Sequence, residues 1–95
     1  MSNKEAPKEL LKAREQIDQI DRNLVDLLAA RFELTHQIGK LKADLELNAL
    51  DEYREAEKLK ELRQLCSGKD LDPELIIELF RRIMDEVVKN HNKLR

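Results

Sequence analysis

Arg31 stands where an apolar residue belongs. From Glu9 to about Ala43, apolar side chains fall at Ile17, Ile20, Leu24, Leu27, Leu34, Ile38 and Leu41. This is the three-and-four spacing of a helical seam. Arg31 follows Leu27 by four and precedes Leu34 by three. It therefore faces the side that the seam would bury. A buried charge without a partner is costly. The guanidinium either meets an anion or snorkels, with its stem covered and its head in water. Lys42 comes eleven residues later. Eleven steps of about 100° return to within roughly 20° of the same face, and the two Cα atoms stand about 16 Å apart along the axis. Two long cations leaning inward could grip a small anion. Lys42 alone also reads as an ordinary lysine favoured at a helix end by the dipole. Arg14, seventeen residues before Arg31, lies roughly 100° off that face. Alone it is a surface arginine. If the long helices of two copies pair, it could serve the other copy's pocket.

Asp51, Arg54 and Glu55 are three and four apart and share one face of a second helix's first turn. They read either as a cap with a surface ion pair worth under about 1 kcal/mol, or as a hydroxyl-binding carboxylate pair beside another cation. His91 follows Val87 by four and Phe80 by eleven, on the apolar stripe of a third helix. It reads as a core or dimer-edge histidine. His36 reads as a surface residue. The two histidines find no third ligand at metal spacing. Cys66 has no histidine partner that would make it a nucleophile.

These residues need helices to position them, and the composition supplies helices. Of the 95 residues, 40% are charged and 41% hydrophobic, with two Gly and two Pro. Ala, Leu, Glu, Lys and Arg lose little rotamer freedom in a helix. Few aromatic or β-branched runs exist to build a sheet. The expected order is helix, loop, helix, loop, helix. The first helix runs from Glu9 to about Ala43, and residues 45–50 form a loop. Asp51 caps a second helix from Glu52 to Leu65. Ser67, Gly68, Lys69 and Asp70 supply turn chemistry. Asp72 and Pro73 open a third helix that reaches about Lys93. Its expected stripe is Ile76, Phe80, Ile83, Val87 and Leu94, widened by Leu75, Leu79, Met84 and Val88. Residues 1–8 read as a disordered lead-in and residues 9–95 as one domain. A first helix of roughly 50 Å outruns a compact domain of this size, whose radius of gyration is about 12–13 Å. It must find a partner along its length, which points to a helical homodimer.

Several function classes are excluded. The net charge is −2 with the signs interspersed, which argues against a nucleic-acid footprint. No apolar run approaches a membrane span. The N-terminus lacks the apolar core of a signal peptide. A single cysteine rules out an intrachain disulfide. A cytoplasmic location fits these features.

Three segments carry a family resemblance: LLKAREQIDQIDRNLVDLLAARFELTHQIGKLK (Leu10 to Lys42), LDEYREAEKL (Leu50 to Leu59) and LDPELIIELFRRIMDE (Leu71 to Glu86). The succession of R, IDxID, LLAxR, IGKxK and D–RE resembles the all-helical, type II chorismate mutases. The resemblance implies an all-α fold of three helices per chain, with long first helices crossing in an intertwined six-helix homodimer. It implies an isomerase of the shikimate pathway that converts chorismate to prephenate in phenylalanine and tyrosine biosynthesis. Neither a covalent intermediate nor a cofactor is needed. Catalysis then rests on holding the reactive conformer and stabilising charge on the breaking ether bond. By resemblance, Arg14 reaches into the neighbouring subunit's site and binds a carboxylate. Arg31 binds a carboxylate in its own subunit. Lys42 donates to the ether oxygen and a carboxylate. Asp51 and Glu55 contact the ring hydroxyl, and Arg54 lies near the ring carboxylate. At this length no attached dehydratase or dehydrogenase is expected.

Two positions depart from the family pattern. Val87 replaces a small hydroxyl residue, and His91 replaces a Gln or Glu that supplies a second hydrogen bond to the ether oxygen. Neutral imidazole still donates one N–H. If His91 takes that role, the rate should depend on pH near the usual imidazole pKa of about 6.5. These departures keep three rivals open: an isochorismate–pyruvate lyase, an aminochorismate mutase, and a non-catalytic helical dimerisation or regulatory module. The Asp51 and Glu55 pair favours a ring with a hydroxyl.

Overall fold

A computed structural model describes residues 7–95. Among them are three helices and no strand: α1 (Lys8–Asp44), α2 (Glu52–Leu65) and α3 (Pro73–Asn92). The disorder expected for the lead-in lies outside the described residues as far as residue 6. Lys8, counted with that lead-in, is instead the first residue of α1. The chain divides into two units, the second beginning at Leu34.

In the first unit, residues 8–33 are helical and residues 7–30 are all exposed. The apolar seam lies open. Ile20 is 57% and Leu27 67% exposed, and Ile17 and Leu24 are similar. Polar pairs on the surface support the helix locally. Gln19 donates to Asn23 at 3.1 Å, and Arg22 donates to Gln19 at 3.0 Å.

The second unit, Leu34–Arg95, holds the core. Its helix ends follow from local chemistry. α1 stops because Glu46 takes a left-handed conformation (φ 57°). The Leu47 N–H then donates to the Lys42 carbonyl at 2.8 Å, and that of Glu46 to Ala43 at 3.1 Å. This is a Schellman closure without the glycine that usually relieves it. α2 starts where the Asp51 carboxylate accepts the Arg54 N–H at 3.0 Å. Gly68, at φ 76°, turns the chain after α2. Asp72 caps α3 by accepting the Glu74 N–H at 3.0 Å, with Pro73 in the first turn.

α2 and α3 pack on each other. The buried apolar residues are Leu62 and Cys66 near one end, Ile77 and Met84 on α3, and Ala49 in the loop. Each large side chain so buried stabilises the fold by about 1.5–3 kcal/mol. Arg63 pairs with Glu74 at 2.6 Å across the connection, but both side chains are more than half exposed, so the pair adds under about 1 kcal/mol.

The core differs from the expected stripe on α3. Its centre is Ile77, Met84 and His91, a heptad series that repeats within about 20° per step. Ile76, Phe80, Ile83 and Val87 are half-buried on one flank, and Leu75 and Leu79 are exposed. The latter two lie about 160° round the helix from Ile77, so both cannot share its core. α3 also ends at Asn92, one residue short of the expected Lys93.

Candidate functional site

The end of α1, the 47–51 loop, the first turn of α2 and the last turns of α3 enclose an open groove of about 780 Å³. That volume suits a small organic ligand. Lys42 comes from α1, Asp51 and Glu52 from the start of α2, and Val88 and Asn92 from α3. The loop adds Leu47, Asn48, Ala49 and Leu50.

Lys42 is half-buried. Its Nζ donates to the Ala49 carbonyl at 3.2 Å. An ammonium has three donors, so this tether directs the side chain to the groove and leaves two N–H groups for an anion. The Schellman closure makes the tether possible, because it folds the loop back over the last turn of α1. Asp51 holds its place in the same way. One carboxylate oxygen caps α2, and the carboxylate retains acceptor capacity for a hydroxyl.

The remaining expected site residues are distributed differently. Arg54 is exposed and Glu55 half-buried on the first turn of α2, and neither lines the groove. Glu52 does so instead. Val87 is half-buried, and its neighbour Val88 occupies the groove wall. A one-residue difference is a 100° rotation on a helix, so spacing from a motif does not settle which neighbour faces a ligand. Arg14 is exposed and Arg31 half-buried, both in the first unit.

His91 is the departure with the largest structural consequence. It is 3% exposed and is the buried polar residue among those described. Its Nε2 lies 2.7 Å from the Thr35 carbonyl oxygen. A carbonyl only accepts, so Nε2 carries the proton and donates. In the neutral ring Nδ1 is then an acceptor, and it is buried without a hydrogen-bond partner among the described residues. The ring occupies the space above Gly39, where a Cβ would collide with it and with Leu94. His91 does not line the groove. The sequence held one signal of this arrangement. Gly39 interrupts a run of good helix formers at a cost of about 1 kcal/mol relative to Ala, which calls for a packing reason.

The arrangement defines a small all-helical domain with a groove that pairs an inward lysine with a capping aspartate. Residues 13–92 match the family model described as chorismate mutase type II. The chain belongs to the type II chorismate mutase family. It is 37% identical over 84 residues to the T-protein of Enterobacter agglomerans, covering 88% of this chain and 22% of that protein. Against the T-protein of Haemophilus influenzae it is 37% identical over 93 residues, covering 98% and 24%. The chorismate mutase of Methanocaldococcus jannaschii is 29% identical over 84 residues, covering 88% of this chain and 80% of that protein. The chain thus spans about a quarter of the two T-proteins it matches.

Proposed function

We propose that the protein is a chorismate mutase that rearranges chorismate to prephenate, on the route to phenylalanine and tyrosine. The observation that carries this reading is the groove itself. Lys42, held by Ala49, and Asp51, held as the cap of α2, line one ligand-sized space in a chain of this family. Lys42 offers its remaining N–H groups to a carboxylate and to the ether oxygen as negative charge develops there. Asp51 accepts the ring hydroxyl, with Glu55 and Arg54 on the same turn of α2. Arg31 and Arg14 grip the substrate carboxylates as bidentate partners. The reaction is unimolecular, so the protein's work is to fix the reactive conformer and to place these cations beforehand. No cofactor or metal enters it.

The working form in this proposal is a homodimer. The open seam of α1, with Leu24 and Leu27 more than half exposed, is the surface a second copy covers. Pairing two such helices brings Arg14 of one subunit to the site that holds Arg31 and Lys42 of the other. A cytoplasmic location accords with the substrate. Among the described residues no helix is long and apolar enough to cross a membrane.

The test is purified protein mixed with chorismate. Loss of chorismate with prephenate as the product is expected. Pyruvate release from isochorismate would instead assign a lyase. No turnover with any of these diacids would leave a non-catalytic helical module.

A further inference from the structure

We propose that Arg95 is a positioning residue for the mutase reaction: through the Leu47 carbonyl it fixes the loop that holds Lys42. The proposal rests on the mutase reading and deepens it, because it says what sets the lysine in place.

The loop needs such a hold. Of residues 45–50 only Ala49 is buried, and Leu45, Leu47 and Leu50 are exposed. Apolar burial therefore secures one point of the loop, and hydrogen bonds must secure the rest.

Those bonds form a continuous chain from the end of α3. Beyond Asn92 the backbone keeps coiling with the i to i+3 bonds of a 3₁₀ turn. The N–H groups of Lys93, Leu94 and Arg95 donate to the carbonyls of Asn90, His91 and Asn92 at 3.2, 3.1 and 3.4 Å. His91 ties this turn to the Thr35 carbonyl of α1, and Leu94 is half-buried over Gly39. The turn is thereby seated on α1 and carries Arg95 to the loop. The Arg95 guanidinium donates to the Leu47 carbonyl. The Leu47 N–H donates to the Lys42 carbonyl at 2.8 Å. Both polar backbone groups of residue 47 are thus engaged, which fixes the peptide on either side of it. Two residues on, the Ala49 carbonyl accepts from Lys42 Nζ at 3.2 Å. Arg95 itself does not line the groove, so it acts through the loop.

Steady-state kinetics on chorismate and amide hydrogen exchange at Leu47 test the proposal, in wild type, Arg95→Ala and Arg95→Lys. Arg95 is exposed, so both variants should keep the wild-type circular dichroism spectrum. A misplacement of about 1 Å can cost about 100-fold in rate, and Arg95→Ala should lower kcat by about 10-fold or more. Arg95→Lys keeps a donor and should recover most of that loss. Exchange of the Leu47 N–H should speed up about 10-fold in Arg95→Ala, with the amide of Met84 in the core unchanged. Wild-type kcat in a folded Arg95→Ala overturns the positioning role. So does a raised KM with unchanged kcat, which would make Arg95 a direct anion contact. Unchanged exchange at Leu47 overturns the hold on the loop. If wild type turns over no chorismate, the mutase reading fails and the role in the reaction falls with it. Faster Leu47 exchange in Arg95→Ala would then still uphold the hold on the loop.

Discussion

The two units of this chain have the same kind of sequence and opposite fates. Residues 7–33 carry an apolar seam at regular helical spacing, yet Ile17, Ile20, Leu24 and Leu27 are all more than half exposed. Residues 34–95 carry a less regular pattern, yet they bury Leu62, Ile77, Met84 and His91. Periodicity marks which face wants cover and does not say where the cover comes from. In the second unit part of it comes from the same chain, through two short connections, while Leu34 and Leu41 of the seam stay more than half exposed. In the first, the uncovered seam is the reason to expect a second copy. Covering the seam also supplies stability, because removing apolar surface from water is favourable.

The largest effect should come from breaking the seam. Leu24→Asp with Leu27→Asp places two carboxylates on the proposed interface. Sedimentation should show a monomer, and mutase activity should fall to background. A double variant that stays dimeric and active would mean that the seam is not the interface.

Within the second unit, Gly39→Ala should be next. The added methyl meets the His91 ring. Overpacking typically costs about 1–3 kcal/mol, against about 1 kcal/mol gained in helix propensity. A net loss should appear in urea denaturation. Combining it with His91→Ala should give a smaller loss than the two single variants sum to, because the clash disappears. Additive losses would contradict the contact.

Glu46→Gly should act in the opposite direction. Glycine tolerates the left-handed conformation that Glu46 holds at φ 57°, and relief of about 1 kcal/mol is expected. The denaturation midpoint should rise. No change would show that the closure does not strain residue 46.

The smallest effect is electrostatic. The hydrogen bond from Arg82 at 3.0 Å, helped by the charge of Lys89, holds the Glu86 carboxyl below its ordinary value. A depressed carboxyl contributes stability above its unfolded pKa and loses that contribution as pH falls through the folded value. Arg82→Ala should move the Glu86 titration up, as read by carboxyl-carbon NMR. An unchanged titration would remove Arg82 as the cause.

The sequence made the helix bounds legible because the signals are local. Asp51, and Asp72 with Pro73, each announce a helix start within four residues, and both act as caps. The end of α1 was legible only as a loss of pattern, since its left-handed residue is a glutamate. The α3 core was less legible. Ile76 and Ile77 are both isoleucine, and only packing against α2 decides which one turns inward. The role of Gly39 depends on a histidine fifty-two positions later, a distance no local pattern spans. The groove has the same ambiguity. Lys42, Asp51, Glu52, Val88 and Asn92 line it together, and motif spacing does not separate adjacent helix residues that differ by a 100° rotation.

The central claim is that Arg14 of one subunit completes a site containing Arg31 and Lys42 of the other. Subunit mixing tests it directly. Arg14→Ala and Arg31→Ala should each be nearly inactive as pure homodimers. Unfolding and refolding an equal mixture yields heterodimers with one site that contains both arginines and one that lacks both. If half the dimers are mixed, roughly a quarter of wild-type activity per site should return. No recovery in a mixture shown to contain heterodimers would contradict a site shared between subunits.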